Sequence, residues 1–242
     1  MSNNRKTVIV TGASQGIGAG IANLFLQRGY NVVANSRGIS DKNDLQNSDL
    51  LALVDGDIAA PSTADRIVET AVQRFGSIDA LINNAGIFIS KSFVEYTSED
   101  FRALSATNLE GFLYITQRFI RHLLAQSKPG SVTNITAAIA GHPLAALPAS
   151  VAMITKGGIN AISLSLALEY AKHGIRVNAI APGAVETPLL NGIPKDFLRS
   201  LSPNAQIAAV TDIAEAALYL TEATQVTGEV LHVDGGSHVG KW

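Results

Sequence analysis

The strongest constraint on the fold is the alternation of short apolar strands with segments of helical periodicity along the chain. The first strand, Thr7–Thr11, is rich in β-branched residues and leads directly into a glycine-rich turn. Strands that alternate with helices favour a parallel sheet with right-handed crossovers and helices on both faces. The expected strands are 7–11, 31–35, 51–54, 80–82, 131–136, 176–181 and 229–233, and the expected helices are 17–27, 61–75, one that starts near 97, 110–126, 150–172 and 211–221.

The chain is predicted to fold as one domain. Its 242 residues exceed the usual domain size, which is about 100–150 residues. However, the sequence contains no linker, low-complexity segment or internal repeat, and its longer irregular stretches are 38–49 and 187–204. We therefore expect a single α/β domain over residues 1–242.

Composition excludes several classes of function. Eighteen basic and twenty acidic residues give a net charge of −2, so no basic excess favours nucleic acid or an anionic membrane as a partner. The chain has no cysteine, which excludes a disulfide scaffold, a thiolate nucleophile and a cysteine-ligated metal. No metal site is predicted. Only 16% of the residues are charged, against about 25% in an average soluble chain, which predicts that other subunits cover part of the surface.

Two apolar segments are candidates for targeting or membrane elements. The N-terminal apolar run is short and indicates a strand rather than a signal peptide, so a cytoplasmic location is expected. The window between Lys128 and Lys156 has no charged residue, but it contains three prolines, Asn134 and His142. It is therefore predicted to be a buried strand, a loop and the start of a buried helix rather than a membrane span.

The turn after the first strand indicates a phosphate-binding site. Gly12, Gly16 and Gly18 follow the strand in the spacing TGxxxGxG. Glycines at such a turn let the backbone approach a pyrophosphate, and the helix that follows offers its free N–H groups to the anion. An ordinary strand-to-helix turn is the alternative, but the position after the first strand favours dinucleotide binding.

Four further motifs accompany this turn: Asn83-Asn84-Ala85-Gly86, Asn108, Pro182-Gly183 with Thr187, and Val233-Asp234-Gly235-Gly236. Together with the glycine spacing they resemble the short-chain dehydrogenase/reductase family over almost the whole chain. The resemblance implies a Rossmann-type doubly wound sheet of seven parallel strands in the order 3-2-1-4-5-6-7. It also implies an oxidoreductase that acts on a small carbonyl, quinone or alcohol, with 187–204 as a lid over the substrate.

The resemblance also implies the residues that hold the cofactor, with Asp57 as the acidic residue that contacts adenine. The expected cofactor-binding residues are Gly12, Ser14, Gln15, Gly16, Ile17, Gly18, Ser36, Arg37, Asp57, Ile58, Asn84, Ala85, Gly86, Lys156, Pro182, Gly183, Val185 and Thr187.

The end of the second strand favours NADP(H) over NAD(H). An acid there would bind the ribose hydroxyl of NAD and repel the phosphate of NADP. That position holds Ser36, followed by Arg37, whose guanidinium suits a phosphate. Two observations argue the other way: Arg37 can be a solvated loop residue, and Gln15 stands where NADP-binding relatives often carry a basic residue.

The family pattern breaks at the catalytic residues. The family uses a Tyr as proton donor, a Lys four residues later and a Ser that polarises the substrate oxygen. Lys156 fits the Lys, but Ala152 stands at the Tyr position, and the Ser position falls on Ala137 or Ala138. Alanine neither donates a proton nor orients an oxyanion. An engineered double substitution would leave the same pattern, whereas the unusual loop around His142-Pro143 favours a natural redesign.

Several groups are candidates for the missing acid. Asn108 and Lys156 keep the family positions, with ribose binding as the simpler role for Lys156. His142 is a tentative candidate because its ordinary pKa suits proton transfer, although a solvated loop histidine is the simpler interpretation. Thr136 is also tentative, since a shift of one residue on a strand turns a side chain to the other face. Ser150 lies near the Tyr position but is expected to be a helix cap.

Two functions follow from these residues. The first is an NADP(H)-dependent oxidoreductase with a non-standard or impaired proton-transfer site. The second is a catalytically inactive NADP-binding regulatory or scaffold protein. A small-molecule substrate and a homotetramer, or a homodimer, packed through the long helices are expected in addition.

Overall fold

The computed structural model describes residues 5–240, which form one parallel sheet of seven strands flanked by helices. The strand order is β3-β2-β1-β4-β5-β6-β7, which confirms the predicted doubly wound topology. The strands are β1 (Thr7–Thr11), β2 (Asn31–Ser36), β3 (Leu51–Asp55), β4 (Ala80–Asn83), β5 (Gly130–Ile135), β6 (Ile175–Pro182) and β7 (Val230–Val233). The helices are α1 (Gly16–Gln27), α2 (Pro61–Phe75), α3 (Ser98–Ser105), α4 (Gly111–Gln126), α5 (Ser150–Tyr170), α6 (Lys195–Arg199) and α7 (Val210–Glu222).

The crevice of the sheet opens between β1 and β4. Strand β1 pairs with β2 on one side and with β4 on the other. Strands β2 and β3 therefore lie on one side of β1, and β4 to β7 lie on the other. Connections from the carboxyl ends of β1 and β4 therefore leave in opposite directions. Ligands of doubly wound sheets bind at this point.

The core consists of two apolar layers, one on each face of the sheet. Ile21 and Phe25 of α1 pack with Ile213 of α7 on one face. Ile67 of α2 and Phe119 of α4 pack on the other. Near-continuous burial of both sides of β1 and β4 explains why these strands are apolar without alternation.

The structure corrects three details of the sequence analysis. β5 ends at Ile135, so Thr136 lies just beyond the strand. The lid segment contains α6 and a single helical turn, Pro188–Leu190, and is therefore not irregular throughout. Helix α5 begins at Ser150 as expected, but the capping position is Ala149, so the Ser150 hydroxyl is not the cap.

Helix α5, with the turn that continues it, is long and apolar enough by length and composition to cross a membrane. In this fold it packs against β6, and its buried residues include Val151, Ile159 and Ala167. Its apolar character on that side is thus explained by core packing.

Helix α3 leads into the segment that carries Asn108, and a capping box fixes its start. Thr97 Oγ1 accepts a hydrogen bond from the Asp100 N–H at 3.2 Å, and Asp100 Oδ2 accepts one from the Thr97 N–H at 3.0 Å. Lys91 Nζ forms an ion pair with the same carboxylate at 2.6 Å. These contacts satisfy backbone donors that a helix end otherwise leaves unpaired.

Replacing Thr97 by alanine should destabilise the protein because it removes this cap, at a cost of about 1 kcal/mol. The matched control is Ser98→Ala, since Ser98 is exposed and makes no side-chain hydrogen bond within the described chain. Urea unfolding should show a lower midpoint for Thr97→Ala alone. Equal midpoints for the two variants would contradict the assignment of the cap.

Candidate active site

The glycine-rich turn has the backbone geometry that its sequence predicts. Gly12 and Gly16 have φ values of +64° and +57°, in the left-handed region that favours glycine. A Cβ atom on Gly18 would lie 2.3 Å from the carbonyl oxygen of Gly12. Helix α1 therefore starts immediately behind the turn, and no side chain fits between the two.

Asn84 and Thr11 hold this turn against β4. Asn84 Nδ2 donates to the carbonyl oxygens of Thr11 and Gly12, both at 3.0 Å. In return, Thr11 Oγ1 accepts hydrogen bonds from the N–H groups of Asn84 and Ala85, both at 3.1 Å. The two motifs thus form one hydrogen-bonded unit across the crevice.

The start of α1 fits a pyrophosphate. Gln15 occupies the capping position without a side-chain hydrogen bond to the helix, and the first turn of α1 carries no acidic residue. Its first N–H groups are therefore left for an anion at the positive end of the helix dipole.

The end of β2 presents hydroxyl groups and one exposed cation. Ser14 Oγ donates to Ser36 Oγ at 3.2 Å, so the glycine turn and β2 meet at this point. Arg37 follows, is exposed, and makes no hydrogen bond or ion pair among residues 5–240. On the neighbouring strand connection Asp57 is exposed, with Oδ1 accepting from the Ala59 N–H, while Ile58 is buried.

The lid begins beside the glycine turn. The Gly183 N–H donates to the carbonyl oxygen of Val233 at 3.0 Å, which fixes the end of β6 to β7. Val185 is buried, and Thr187 Cγ2 lies 3.4 Å from the place of a Cβ on Gly16. Thr187 therefore closes one side of the crevice.

Asn108 lies in a π-helical turn, Ala106–Glu110, between α3 and α4. Its Oδ1 accepts from the Ile87 N–H at 2.8 Å, and its Nδ2 donates to the Ile87 carbonyl oxygen and to Thr155 Oγ1, both at 3.0 Å. A π turn within a helix often marks a functional position. The sequence analysis missed Thr155, whose only signal was its place next to Lys156.

Lys156 reaches the same point from α5. Its Nζ donates to the carbonyl oxygen of Ile135 at 2.8 Å. A Cβ atom on Gly86 would lie 3.1 Å from Lys156 Nζ and 3.2 Å from Asn108 Oδ1. Burial lowers the pKa of the Lys156 ammonium to about 8, because desolvation disfavours its charged form.

The alanines that the sequence analysis aligns with the family hydroxyls lie among apolar contacts. Ala152 is fully buried in a cluster with Leu104 and Val151, and partly buried Phe88 and Ile139 pack against the cluster. Ala138 is also buried and starts a single helical turn after β5, while Ala137 is partly exposed. None of these three alanines carries a polar group that could act as an acid.

The other candidate acids lie in different surroundings. Thr136 Oγ1 donates to the Ile180 carbonyl oxygen at 3.0 Å, so its proton is committed to the backbone of β6. Ser150 is exposed, and its hydroxyl makes no hydrogen bond to the described residues. His142 is exposed and contacts two other histidines. A catalytic role for Thr136 or His142 stays a prediction.

These three histidines form a cluster that the sequence analysis did not foresee. The rings of His232 and His238 are stacked with centroids 3.9 Å apart, and the His142 ring lies 5.7 Å from each. Asp234 accepts from the His238 ring at 3.0 Å. Burial and the neighbouring His238 lower the pKa of His232. Among residues 5–240, no group of histidines and carboxylates is arranged to hold a metal ion.

Comparisons with known proteins agree with this geometry. Residues 12–238 match a family model described as enoyl-(acyl carrier protein) reductase. A 3beta-hydroxysteroid dehydrogenase 1 from Eggerthella lenta is 35% identical, with 96% of this chain and 93% of that protein covered. A 3-oxoacyl-[acyl-carrier-protein] reductase from Thermotoga maritima is 32% identical, with coverage of 96% and 97%.

Solved structures are similar over the whole fold. ElxO with NADP bound superposes with a TM-score of 0.87 at 26% identity and covers 98% of this chain and 100% of its own. A 3-ketoacyl-(acyl-carrier-protein) reductase from Brucella melitensis, complexed with NADH, has a TM-score of 0.86 at 30% identity, again with coverage of 98% and 100%.

The topology, the glycine turn clamped by Asn84, the paired Asn108 and Lys156, and the full-length relatives lead to one conclusion. This chain belongs to the short-chain dehydrogenase/reductase family of nucleotide-binding oxidoreductases.

Proposed function

We propose that the protein is an NADP(H)-dependent oxidoreductase that acts on a small carbonyl, quinone or alcohol, with a proton-transfer site that lacks the usual Tyr and Ser. The observation that carries this proposal is the meeting of Lys156 Nζ and Asn108 Oδ1 at Gly86. In a protein that only holds a nucleotide Lys156 would still bind the ribose, but the Asn108 amide beside it would be surplus.

When bound, a nicotinamide nucleotide supplies the hydride. The residues of the chain would bind and orient it: the N–H groups of α1 its pyrophosphate, Arg37 the adenosine phosphate and Lys156 the nicotinamide ribose. Asn108 positions the loop at Ile87 through two hydrogen bonds and thereby shapes the wall behind Gly86.

The substrate is proposed to be modest in size, apolar and uncharged. Leu189 of the lid is 65% exposed and offers an apolar contact, whereas Leu198 of α6 is buried. A quinone or conjugated ketone suits this site, because its developing anion is already stable and needs less help from an acid.

One observation supports a second candidate, a catalytically inactive NADP-binding scaffold. Ala152 is completely buried under apolar side chains, so the place of the family phenol is closed. The glycine turn and Lys156 bind rather than react in this alternative.

A turnover screen separates the two candidates. Purified protein is mixed with NADPH and, in turn, with phenanthrenequinone, menadione, cyclohexanone and ethyl acetoacetate. Loss of NADPH absorbance that depends on both protein and carbonyl supports the oxidoreductase. Tight binding of NADPH by calorimetry with no loss of absorbance in any reaction supports the scaffold, and no binding of NADPH or NADH contradicts both.

Replacing Arg37 by alanine should weaken NADPH binding by about 10- to 100-fold, because a charge-assisted hydrogen bond is lost. NADH, which lacks the phosphate, should bind both proteins equally. Titration calorimetry measures both affinities. The control is Arg28→Ala, since Arg28 is exposed at the far end of α1.

A complementary variant reverses the preference. Ser36→Asp places a carboxylate at the end of β2, where it binds a ribose hydroxyl and repels a phosphate. It should therefore favour NADH over NADPH. An unchanged NADPH affinity in both Arg37→Ala and Ser36→Asp would contradict the proposed phosphate site.

We further propose a homotetramer in the cytoplasm, with no nucleic-acid or membrane partner. Ile154, Leu164 and Leu168 of α5 are 54%, 48% and 84% exposed, and Leu113 of α4 is 41% exposed. Exposed apolar rows on two long helices support packing of subunits through this face.

Replacing Leu168 by glutamate should dissociate the assembly, because it would bury a charge between apolar helices. Light scattering coupled to size exclusion measures the mass. The control is Val94→Glu, since Val94 is 87% exposed and lies outside α4 and α5. A monomeric wild-type protein, or an unchanged mass for Leu168→Glu, would contradict this interface.

A further inference from the structure

Reduction of a carbonyl needs a proton for the oxygen as well as a hydride for the carbon, and the usual phenol is absent. Thr136 Oγ1 donates a hydrogen bond to the Ile180 carbonyl oxygen. Thr155 Oγ1 is fully buried, donates to the Ala152 carbonyl oxygen at 2.9 Å and accepts from Asn108. The hydroxyl groups of Thr136 and Thr155 are therefore committed to other partners.

Lys156 differs from these groups because it keeps free donor capacity. An ammonium has three N–H donors. One donates to the Ile135 carbonyl oxygen, and the other two have no hydrogen-bond partner in the part of the chain that the structure describes. Lys156 Nζ also lies at Gly86, where the missing side chain leaves an approach open.

A small cavity lies beside Lys156. Its volume is about 10 Å³, and its lining includes Lys156, Asn83, Asn108 and Thr11. That is about the volume that one water molecule requires. Asn83 Oδ1 is buried and has no hydrogen-bond partner among the described residues, so it is an acceptor suited to such a water. A water in this cavity would therefore be a source of protons for Lys156.

We propose that Lys156 is itself the proton donor to the substrate oxygen, in place of the missing phenol, with a water held in this cavity by Asn83 as the source of its next proton. This inference rests on the proposed function and names the acid of that reaction.

The step balances as follows. The carbonyl carbon gains a hydride, and the π electron pair of the C=O bond moves to the oxygen. The oxygen forms an O–H bond with a proton of Lys156 while the N–H bond breaks, which leaves a neutral amine. The amine then takes a proton from the water, which is restored from solvent. In the oxidation of an alcohol the neutral amine accepts the proton instead.

The environment of Lys156 suits this role. Its pKa of about 8 keeps it protonated at neutral pH, yet it releases a proton more readily than an exposed lysine. A general acid is most effective when its pKa is near the working pH.

Lys156→Arg separates proton donation from cofactor binding. Arginine keeps the positive charge and the hydrogen-bond donors, but it does not lose its proton in the working range of pH. NADPH affinity by calorimetry should stay within about threefold, whereas kcat for ethyl acetoacetate should fall by about 100- to 10,000-fold. The loss should be smaller for menadione, whose anion is already stable. The control is Lys172→Arg, which lies in the turn after α5, outside the site.

The pH profile gives a second readout. Because the acid must be protonated, carbonyl reduction by the wild-type protein should decline as the pH rises through about 8. The residual activity of Lys156→Arg should lack this decline. A profile unchanged by the substitution, together with an unchanged kcat, would overturn the inference while leaving the proposed function intact.

Chemical rescue covers the case in which arginine distorts the site. Small primary amines should restore turnover to Lys156→Ala, with a rate that depends on the pKa of the amine. Rescue that changes only KM for NADPH would assign Lys156 to ribose binding alone and overturn the inference.

A measurement without turnover completes the test. Nitrogen NMR of labelled lysine side chains, with NADP⁺ bound, should show one signal that titrates well below the others and is absent in Lys156→Arg. If no lysine titrates below the ordinary range, the inference fails. If the wild-type protein reduces none of the four test carbonyls, the proposed function fails, and the inference fails with it.

Discussion

The site depends on the hydrogen bonds that join the carboxyl end of β1 to that of β4. Thr11 and Asn84 exchange side-chain and backbone bonds across the crevice, at 3.0 to 3.1 Å. Three glycines of the turn contribute no side-chain contacts, so its conformation relies on this clamp, on the Ser14–Ser36 hydrogen bond and on the close approach of α1. The same bonds set where the loop after β4 begins, and therefore where Gly86 and Ile87 lie.

The second half of the site is built on that loop. Asn108 holds the backbone of Ile87 with two hydrogen bonds and is itself held by Thr155, the residue before Lys156. The π turn and the start of α5 are thereby connected through one amide group. This explains how Lys156 Nζ is held at Gly86. The supporting framework of the site is thus complete around Asn108 and Lys156.

Much of the fold could be predicted from the sequence because local patterns determine it. The β-branched residues of β1, the proline at the start of α2 and the Thr97 hydroxyl each predict their element from the local sequence. The glycine spacing and the Asn83–Gly86 motif placed the crevice for the same reason. The predicted cap at Ser150 and the predicted end of β5 at Thr136 were wrong, since backbone geometry rather than residue type decides them.

Long-range contacts in the site could not be predicted. Nothing local to Thr155 shows that it supports Asn108, which is 47 residues away. The contact of His142 with His232 and His238 depends on how β7 and the segment after it lie against the loop after β5. Similarly, only the packed structure shows that Thr136 Oγ1 donates a hydrogen bond to the Ile180 carbonyl oxygen and that Ala152 is fully buried.

Hydride transfer within this framework, without the expected hydroxyls, is what decides the proposed function. The most direct measurement uses NADPH with deuterium on the reactive carbon of the nicotinamide, mixed with the protein and ethyl acetoacetate, and mass spectrometry of the product. The account predicts one deuterium on the carbinol carbon of each alcohol molecule, at a rate proportional to protein. Bound cofactor with no deuterated alcohol would contradict it and would identify the protein as a nucleotide-binding scaffold.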